Sequence, residues 1–219
     1  MTVIFDLDGT LVNSLFDLGD SVNGALNELS LPLHSYEEYR MFVGNGTKML
    51  VTRSVPENIR GTKTEKAVFD RFSALYEENC LCKTLPYNGI EKALLHLKEN
   101  GAKLAVASNK PFEFCRKIVN ALFGEGMFDV TEGSRENVRK KPQPDIIFSI
   151  MAQLGVSKDD CVIVGDSDVD AQTAKNAGLK CIGCSWGYRG RDVLENACCD
   201  IVIDSPTELC GSVIKLLRG

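Results

Sequence analysis

The sequence predicts an α/β fold: a doubly wound, mostly parallel sheet interrupted by an inserted all-helical segment. From Ile90 onward, short apolar runs alternate with segments of helical periodicity, the pattern of parallel strands joined by helices. Between about Leu15 and Lys83 this alternation is absent and only helical patterns occur. One apolar run, Val3 to Asp6, precedes that region. We therefore expect it to be the first strand of the same sheet, separated from the others by the insertion.

Two segments of the insertion carry an apolar stripe at helical spacing. Their stripe residues are Leu15, Leu18, Val22, Leu26 and Leu29 in the first, and Val68, Phe69, Phe72, Leu75 and Tyr76 in the second. We therefore predict a helical cap domain over residues 15–83. The α/β core domain would comprise residues 1–14 and 84–219.

The remaining elements follow from apolar runs bounded by glycine and proline, which commonly mark helix ends. In chain order we predict a helix in IEKALLHLKENG, a strand in KLAVAS, a helix in FEFCRKIVNALF, a strand in FDVTEG, a helix in PDIIFSIMAQLG, a strand in CVIVGD, a helix in DAQTAKNAG, strands in KCIGCS and DIVID, and a helix in TELCGSVIKLLR. Alternation of this kind implies right-handed crossovers and a sheet covered on both faces.

The composition narrows the class of protein. The chain has 219 residues, 44% of them hydrophobic and 25% charged, which is typical of a globular protein. Its net charge of −5 argues against nucleic acid or an anionic membrane as the main partner. No stretch has the length of a membrane span, and Met1 leads into the first apolar run without a basic segment. We expect a cytoplasmic monomer or homodimer.

The nine cysteines are scattered and mostly lie in apolar segments. This distribution favours free thiols in a reducing compartment over disulfides. Cys181 and Cys184 have metal-type spacing, but no second cysteine pair or nearby histidine completes a site. We expect no zinc or redox role for them.

Polar residues follow several of the predicted strands, and in open α/β sheets ligands bind at that carboxyl edge. The residues concerned are Asp6 and Asp8 after the first strand, Ser108 and Asn109 after KLAVAS, Lys141 in the loop after FDVTEG, and Asp166 and Asp170 after CVIVG. We expect these four loops to meet in one site.

The motifs DLDGTLV, the Ser108-Asn109 turn, the Lys141-Pro142 loop and GDSDVD occur in this order. Together they resemble the haloacid dehalogenase-like superfamily, and more narrowly its phosphoglycolate phosphatase-like members, which carry a helical cap after the first motif. The resemblance spans essentially the whole chain. It implies hydrolysis of a small phosphate monoester, with 2-phosphoglycolate as the first candidate substrate.

The resemblance assigns roles that fit the chemistry of phosphoryl transfer. Asp6 would attack phosphorus to form an aspartyl-phosphate, and Asp8 would exchange a proton with the leaving group and with water. Close carboxylates repel each other, and Mg²⁺ would relieve this repulsion. Asp6 and Asp166 would be ligands, Asp8 would contribute its backbone carbonyl, and Asp170 would be an outer ligand.

The phosphate group also needs hydrogen-bond donors and positive charge. The Ser108 hydroxyl and the Asn109 backbone N–H would form part of an anion cradle, with Gly9 and Thr10 in the turn after the nucleophile. Lys141 would neutralise charge on the transferring group. Lys140 is a competing candidate, but only Lys141 matches the Lys-Pro-x-Pro pattern of the family.

Structural explanations stand beside these roles. The Asp6–Asp8 pair is also compatible with a solvated turn, while Ser108, Asp166 and Ser167 are compatible with helix capping alone. His34 and His96 lie outside every motif, and the Trp186–Tyr188 segment suits packing better than binding. The roles of three cap residues stay open, namely Arg40, Asn45 and Lys48.

Several other functions share this scaffold. A dehalogenase would not need Asp8 and Asp166, whereas a phosphosugar mutase, a pyrophosphatase or a nucleotidase would keep the motifs. A phosphonate hydrolase would need a cap lysine, for which Lys48 and Lys63 are available but unmarked. A regulatory protein that binds phosphate without turnover is the alternative from a different class.

Overall fold

The structure is a computed structural model and describes residues 1–218. The strands are β1 (Thr2–Phe5), β2 (Val12–Asn13), β3 (Leu85–Pro86), β4 (Lys103–Pro111), β5 (Val130–Ser134), β6 (Cys161–Gly165), β7 (Lys180–Cys184) and β8 (Ile201–Ile203). The α-helices are α1 (Leu15–Glu28), α2 (Tyr36–Phe42), α3 (Thr47–Ser54), α4 (Lys63–Asn79), α5 (Ile90–Glu99), α6 (Phe112–Phe123), α7 (Asp145–Leu154), α8 (Asp168–Ala177), α9 (Arg191–Asn196) and α10 (Leu209–Arg218). Short 3₁₀ turns cover Glu57–Ile59, Lys158–Asp160 and Pro206–Glu208.

Six strands form one parallel sheet in the order β5-β4-β1-β6-β7-β8. β1 lies between β4 and β6, with Val3 opposite Leu104 on one side and Val162 on the other. The chain extends the sheet first to one side of β1 and then, from β6 onward, to the other side. This reversal creates a switch point beside β1, where α/β sheets bind ligands. The predicted doubly wound α/β core is confirmed.

Alternate residues of the central strands face opposite layers of helices. Val3 and Phe5 belong to a cluster with buried residues of α5, α6 and α10. Ile4 belongs to a second cluster with buried residues of α7 and α8. Because both faces are covered, the strands read as continuous apolar runs in the sequence.

Helices α1 to α4 lie between β2 and β3, which pair as a two-stranded antiparallel ribbon. α1 packs against α4, and their buried residues belong to the same apolar cluster as α5 and α6. Asp17 of α1, which is 2% exposed, links the start of α1 to the segment just before β3. Its carboxylate accepts hydrogen bonds from the backbone N–H groups of Lys83 and Thr84 and from the Thr84 hydroxyl, at 2.7–3.0 Å.

Some elements differ from those predicted. β4 continues to Pro111, well past the predicted end at Ser108, because the polar residues after Ser108 stay in the sheet. The two-residue strands β2 and β3 and the six-residue helix α9 were not predicted, since such short elements carry no measurable periodicity. Leu29, placed on the first apolar stripe, is 39% exposed because α1 ends one residue earlier.

All nine cysteines are free thiols in the structure of residues 1–218, and six of them are buried. None of the helices in this range is long and apolar enough to cross a membrane.

Candidate active site

The polar residues expected at the carboxyl edge of the sheet lie on three adjacent strands. Asp6 follows β1, Ser108 lies in β4 and Asp166 follows β6, with β1 in the middle. Asp170 occupies the first turn of α8. The parallel arrangement therefore brings together residues that are as far apart in sequence as Asp6 and Asp170.

Three of these carboxylates form a tight acidic cluster: Asp6, Asp166 and Asp170 each offer an oxygen, and the oxygens all lie within 4.8 Å of one another. All three side chains are buried, with 8% or less of the residue exposed. A group of buried acids this close requires positive charge nearby.

Glycines make this close approach possible. A Cβ atom on Gly9 would lie 2.4 Å from Oδ2 of Asp166, one on Gly165 would lie 2.3 Å from Cβ of Asp170, and one on Gly187 would lie 2.2 Å from Cβ of Asp166. Distances below 3.0 Å do not occur for real Cβ atoms. The two carboxylates are therefore seated in spaces that only glycine leaves open.

Lys141 supplies one positive charge to the cluster. Its Nζ lies 2.9 Å from Oδ1 of Asp6 and 2.7 Å from Oδ1 of Asp170, and the residue is 5% exposed. Asn109 fixes the Lys141 backbone, since its Oδ1 accepts from the Lys141 N–H at 2.8 Å and its Nδ2 donates to the Lys141 carbonyl at 3.0 Å. The competing Lys140 is exposed.

Burial and mutual repulsion change the acidities of the cluster. Burial raises the pKa of Asp6 to about 6, while Lys141 opposes this rise and Asp170 adds to it. Burial, with repulsion from Asp170 and Asp6, raises the pKa of Asp166 well above its usual value. Burial disfavours the charge on Lys141, but Asp170 and Asp6 more than offset it, so the pKa of this lysine is raised. The single ammonium of Lys141 therefore does not balance the negative charge of the three carboxylates.

The donor set fits a hard divalent cation. Oδ1 of Asp6 is buried, and the charged group that the structure places against it is the Lys141 ammonium at 2.9 Å. Asp170 already holds Lys141 through one oxygen and Ser167 through the other, at 2.6 Å from its hydroxyl. Asp170 accepts from more donors than Asp166, which accepts one short bond from the Tyr188 N–H, so of the three carboxylates that could hold a metal ion Asp170 better suits an outer position.

Asp8 lies apart from the acidic cluster and has its own partners. Ser14 Oγ donates to Asp8 Oδ1 at 2.5 Å, and Lys110 Nζ lies 3.0 and 2.8 Å from the two carboxylate oxygens. Tyr188 extends the network, since its hydroxyl accepts from the Ser14 backbone N–H at 3.1 Å. Its own N–H donates to Asp166 at 2.7 Å. Asp8 and Asp166 are thus connected by hydrogen bonds through Ser14 and Tyr188.

Residues of the segment 15–83, the predicted cap, cover these groups. A cavity of about 20 Å³ remains between cap and core, a space for about one water molecule. Its walls are Leu18, Val43, Gly44, Gly46, Thr47 and Leu50 from the cap side, and Asp6, Asp8, Ser108, Asn109 and Lys110 from the carboxyl edge of the sheet.

Two arginines hold the cap in this position. Arg189, which follows β7, donates to the carbonyls of Arg40 and, at 2.6 Å, Val43, at the C-terminal end of α2. These carbonyls have no partner within the helix. Arg40 in turn donates to the carbonyls of Gly187 and Tyr188 at 3.3 and 3.4 Å. The contact is reciprocal between cap and core.

Other residues singled out in the sequence lie elsewhere. The Thr10 hydroxyl points to Asp166 at 3.5 Å, and neither Thr10 nor Gly9 lines the cavity. Arg53 holds Asn45 at 2.8 Å. The two cap lysines, Lys48 and Lys63, are exposed, and Lys48 lines a groove on the outer face of the cap. Neither lysine is placed for Schiff-base chemistry in the cavity.

The packing and capping explanations hold for several residues. Trp186 Nε1 donates to the Thr10 carbonyl at 3.1 Å, so this ring fixes the turn after Asp6. His34 bridges Glu38 and the Ser54 carbonyl within the cap, and His96 is on the exposed face of α5. Ser167 caps α8 and at the same time holds Asp170.

Sequence reasoning gave no role to four residues of the site: Ser14, Lys110, Tyr188 and Arg189. Lys110 directly follows Asn109 in the sequence. Its position directly after a proposed phosphate-binding turn was an available signal. Tyr188 and Arg189 follow a strand end at the same sheet edge, so the rule that located Asp166 applied to them as well.

The comparisons with known proteins all point to one family. Residues 3–184 match the family model for haloacid dehalogenase-like hydrolases. A phosphoglycolate phosphatase from Pseudomonas syringae pv. tomato is 34% identical over 99% of this chain and 78% of its own length. One from Aquifex aeolicus is 34% identical over 85% of both chains. The crystal structure of a predicted phosphoglycolate phosphatase from Haemophilus somnus superposes with a TM-score of 0.88 at 28% identity, covering 96% of each chain.

Proposed function

This chain belongs to the haloacid dehalogenase-like hydrolase family and is a phosphoric monoester hydrolase, and we propose that it is a Mg²⁺-dependent phosphatase that acts through an aspartyl-phosphate on phosphoglycolate. The observation that carries the mechanism is the buried cluster of Asp6, Asp166 and Asp170 with a single lysine between them. The family resemblance predicted from the four motifs is confirmed by the family model and the relatives.

Asp6 is the nucleophile in this proposal. Its carboxylate oxygen forms a bond to phosphorus while the ester P–O bond breaks, and Asp8, protonated when substrate is bound, gives its proton to the departing alkoxide and becomes a carboxylate. Asp8 then removes a proton from water, which attacks the phosphoryl group and releases inorganic phosphate and free Asp6. Lys141, in contact with Asp6, offsets the negative charge that accumulates on the transferring group.

Mg²⁺ bound by Asp6, Asp166 and the Asp8 carbonyl would supply the remaining positive charge and bring the phosphate dianion next to the carboxylates. The Ser108 hydroxyl and the Asn109 backbone N–H are the donors proposed for the phosphate oxygens. Gly9 and Thr10 act by shaping the turn: Gly9 leaves room for Asp166, and the Thr10 hydroxyl contacts it.

The cavity supports a small anionic substrate. With the cap closed its volume of about 20 Å³ holds about one water molecule, so the cap must open to admit any phosphorylated substrate, and the support comes from the residues of its walls. The N-terminus of α3 forms part of its wall, and Thr47, the first residue of that helix, is 9% exposed. Free N–H groups at a helix N-terminus bind anions, so this end of α3 suits the carboxylate of phosphoglycolate. Arg40, occupied by core carbonyls, is not required for it.

The domain organisation is part of the proposal. Residues 15–83 would form the mobile cap and residues 1–14 and 84–219 the core, with the β2–β3 ribbon as the hinge. Opening would admit substrate, and closure would exclude bulk water and align the leaving group with Asp8. We propose that the protein acts on a small phosphorylated metabolite in the cytoplasm, as a monomer or homodimer, without nucleic acid or membrane partners.

A phosphate-release screen over small phosphorylated metabolites tests this function, run with and without Mg²⁺ and with Asp6→Asn as the control. We expect one dominant compound, phosphoglycolate, metal-dependent turnover, and no turnover by Asp6→Asn. Preference for a nucleotide or pyrophosphate would overturn the substrate assignment. Isomerisation of a sugar phosphate without phosphate release would identify a mutase instead, and binding of phosphate without turnover would identify a regulatory protein.

A further inference from the structure

Lys110 occupies an unusual position at the edge of the active site. It lies in β4, two residues after Ser108, where the pairing register with β5 shifts between Ala107 and Pro111. Irregularities of this kind bend a strand and redirect its side chains, and they are common beside active sites. Gly133 of β5 allows the bend, since a Cβ there would lie 2.7 Å from the Lys110 carbonyl oxygen.

The backbone of Lys110 is held on both sides. Its N–H donates to Ser108 Oγ at 3.3 Å, and its carbonyl accepts from Cys115 Sγ at 3.4 Å. The backbone of Lys110 is therefore fixed relative to Ser108, whose hydroxyl is proposed to donate a hydrogen bond to the phosphate. A rigid link of this kind transmits the position of one group to the other.

The side chain is almost completely buried, with 2% of the residue exposed, and its ammonium faces two groups. Nζ lies 3.0 and 2.8 Å from the two oxygens of Asp8, and 4.9 Å from the ring centroid of Tyr76 on α4. Within residues 1–218, Asp8 is the acid with which Lys110 forms an ion pair. Because the Ser14 hydroxyl donates to Oδ1 and the Lys110 ammonium contacts both oxygens, each Asp8 oxygen has a hydrogen-bond donor.

Building on the phosphatase reaction proposed above, we propose that Lys110 is a positioning residue that directs the Asp8 carboxylate toward the leaving-group oxygen. The two buried lysines of the site then have separate tasks. Lys141 contacts Asp6 and Asp170 and acts on the transferring phosphoryl group, whereas Lys110 contacts Asp8 and acts on the departing alkoxide. Because the Lys110 ammonium also packs on the Tyr76 ring, the orientation of Asp8 is coupled to the closed position of α4.

The dependence on the leaving group separates this role from a structural one. Proton transfer needs the acid within hydrogen-bond reach of the leaving oxygen, and it matters for alkyl phosphates, whose alkoxide is a poor leaving group. The p-nitrophenolate ion leaves without a proton. The ratio kcat/KM reports the steps up to the first irreversible one, here phosphoryl transfer to Asp6. Comparing kcat/KM for phosphoglycolate and p-nitrophenyl phosphate therefore isolates the acid step.

The test uses the 219-residue chain with Lys110→Met. We expect kcat/KM for phosphoglycolate to fall by about 100-fold and that for p-nitrophenyl phosphate to fall by less than about fivefold, as is typical when a positioned acid is lost. Asp8→Asn should show the same selectivity, and adding Lys110→Met to Asp8→Asn should change kcat/KM by less than about twofold, since no acid remains to be positioned. An equal loss with both substrates, or independent losses in the double variant, would overturn the proposal.

Two controls complete the design. Lys117→Met removes another lysine of the same core region that contacts α4, through the Glu77 carbonyl at 2.6 Å, but lies outside the cavity. Both its kcat/KM values should match the wild type. Lys110→Gln shortens the side chain but retains an uncharged NH₂ group that can donate to Asp8, so it should show the same selectivity with a smaller loss. Failure of both Lys110 variants to fold would assign a structural role to this lysine and overturn the proposal.

The proposal about Lys110 and the proposed function fail in different ways. If Asp6→Asn kept its activity, the reaction itself would be wrong. If Asp6→Asn were inactive while Lys110→Met showed no selectivity for the alkyl substrate, the reaction would stand and only the role of Lys110 would fall.

Discussion

Replacing Gly187 with alanine tests the glycine-lined seat of Asp166. The new Cβ would lie 2.2 Å from Cβ of Asp166 on one side and 2.4 Å from the Gly9 carbonyl oxygen on the other. Ordinary contacts begin at 3.4 Å, so Asp166 must move by about 1 Å, and the Gly9 backbone prevents residue 187 from retreating instead. The φ angle of Gly187 is not in the left-handed region, so the effect is steric and not conformational.

A displacement of about 1 Å in a catalytic group lowers the rate by about 100-fold. We expect kcat/KM of Gly187→Ala to fall by that factor, and the Mg²⁺ concentration for half-maximal activity to rise by about tenfold or more, because the backbone N–H of Tyr188 would no longer hold Asp166. The assay is phosphate release from phosphoglycolate as a function of metal concentration.

The matched control is Gly211→Ala, in α10, where a Cβ meets no atom within 4 Å. This change should leave the kinetics unaltered and stabilise the helix by about 0.5–1 kcal/mol. Wild-type kinetics and metal dependence in Gly187→Ala would refute the reasoning, since the carboxylate would then tolerate a position that the packing excludes.

Three further perturbations have defined outcomes. Arg189→Met removes the guanidinium that caps α2, so KM should rise by about tenfold with a smaller change in kcat. Hydrogen exchange of the α2 amides should accelerate, and an unchanged exchange rate would contradict the role of Arg189 in closure. Asp17→Asn replaces one buried acceptor oxygen by an NH₂ group that faces the N–H donors of Lys83 and Thr84 and should cost about 2–4 kcal/mol, lowering Tm by about 5–15 °C. Asp20→Asn, at an exposed ion pair with Lys83, should cost less than about 1 kcal/mol. In metal-free protein the pKa of Asp6 is raised to about 6 from 3.8, so the folded state binds protons more tightly than the unfolded state. The free energy of unfolding should therefore fall as the pH rises from about 4 to about 6. The pKa of Asp166 is also raised, which extends this fall to higher pH. Mg²⁺ should consequently raise Tm more near neutral pH than near pH 4 in thermal melts, and equal shifts would argue against a metal at this cluster.

The fold and the acidic cluster could be predicted because both depend on local patterns. Strands buried on both faces are continuous apolar runs, and β1, β4 and β6 therefore stand out in the sequence. Asp6, Ser108 and Asp166 were located because parallel strands place their carboxyl ends at one edge of the sheet. Asp170 lies close to Asp166 because α8 begins only two residues after Asp166 and carries Asp170 in its first turn.

The rest depends on contacts that local patterns do not encode. Lys110 reaches Asp8 across 102 positions, and its direction depends on a register shift between β4 and β5. Arg189 contacts carbonyls about 150 residues away, at a helix end that is itself created by the cap fold. The hinge ribbon consists of two-residue strands, each too short to show an alternating pattern.

The central claim is that Asp6 receives the phosphoryl group. Acid quenching of the enzyme during turnover of phosphoglycolate with Mg²⁺, followed by peptide mass mapping, tests it directly. We predict a hydroxylamine-labile phosphoryl group on the peptide that contains Asp6, absent from the Asp6→Asn variant and from reactions without metal. A phosphoryl group on another residue, or full turnover by Asp6→Asn, would contradict the account.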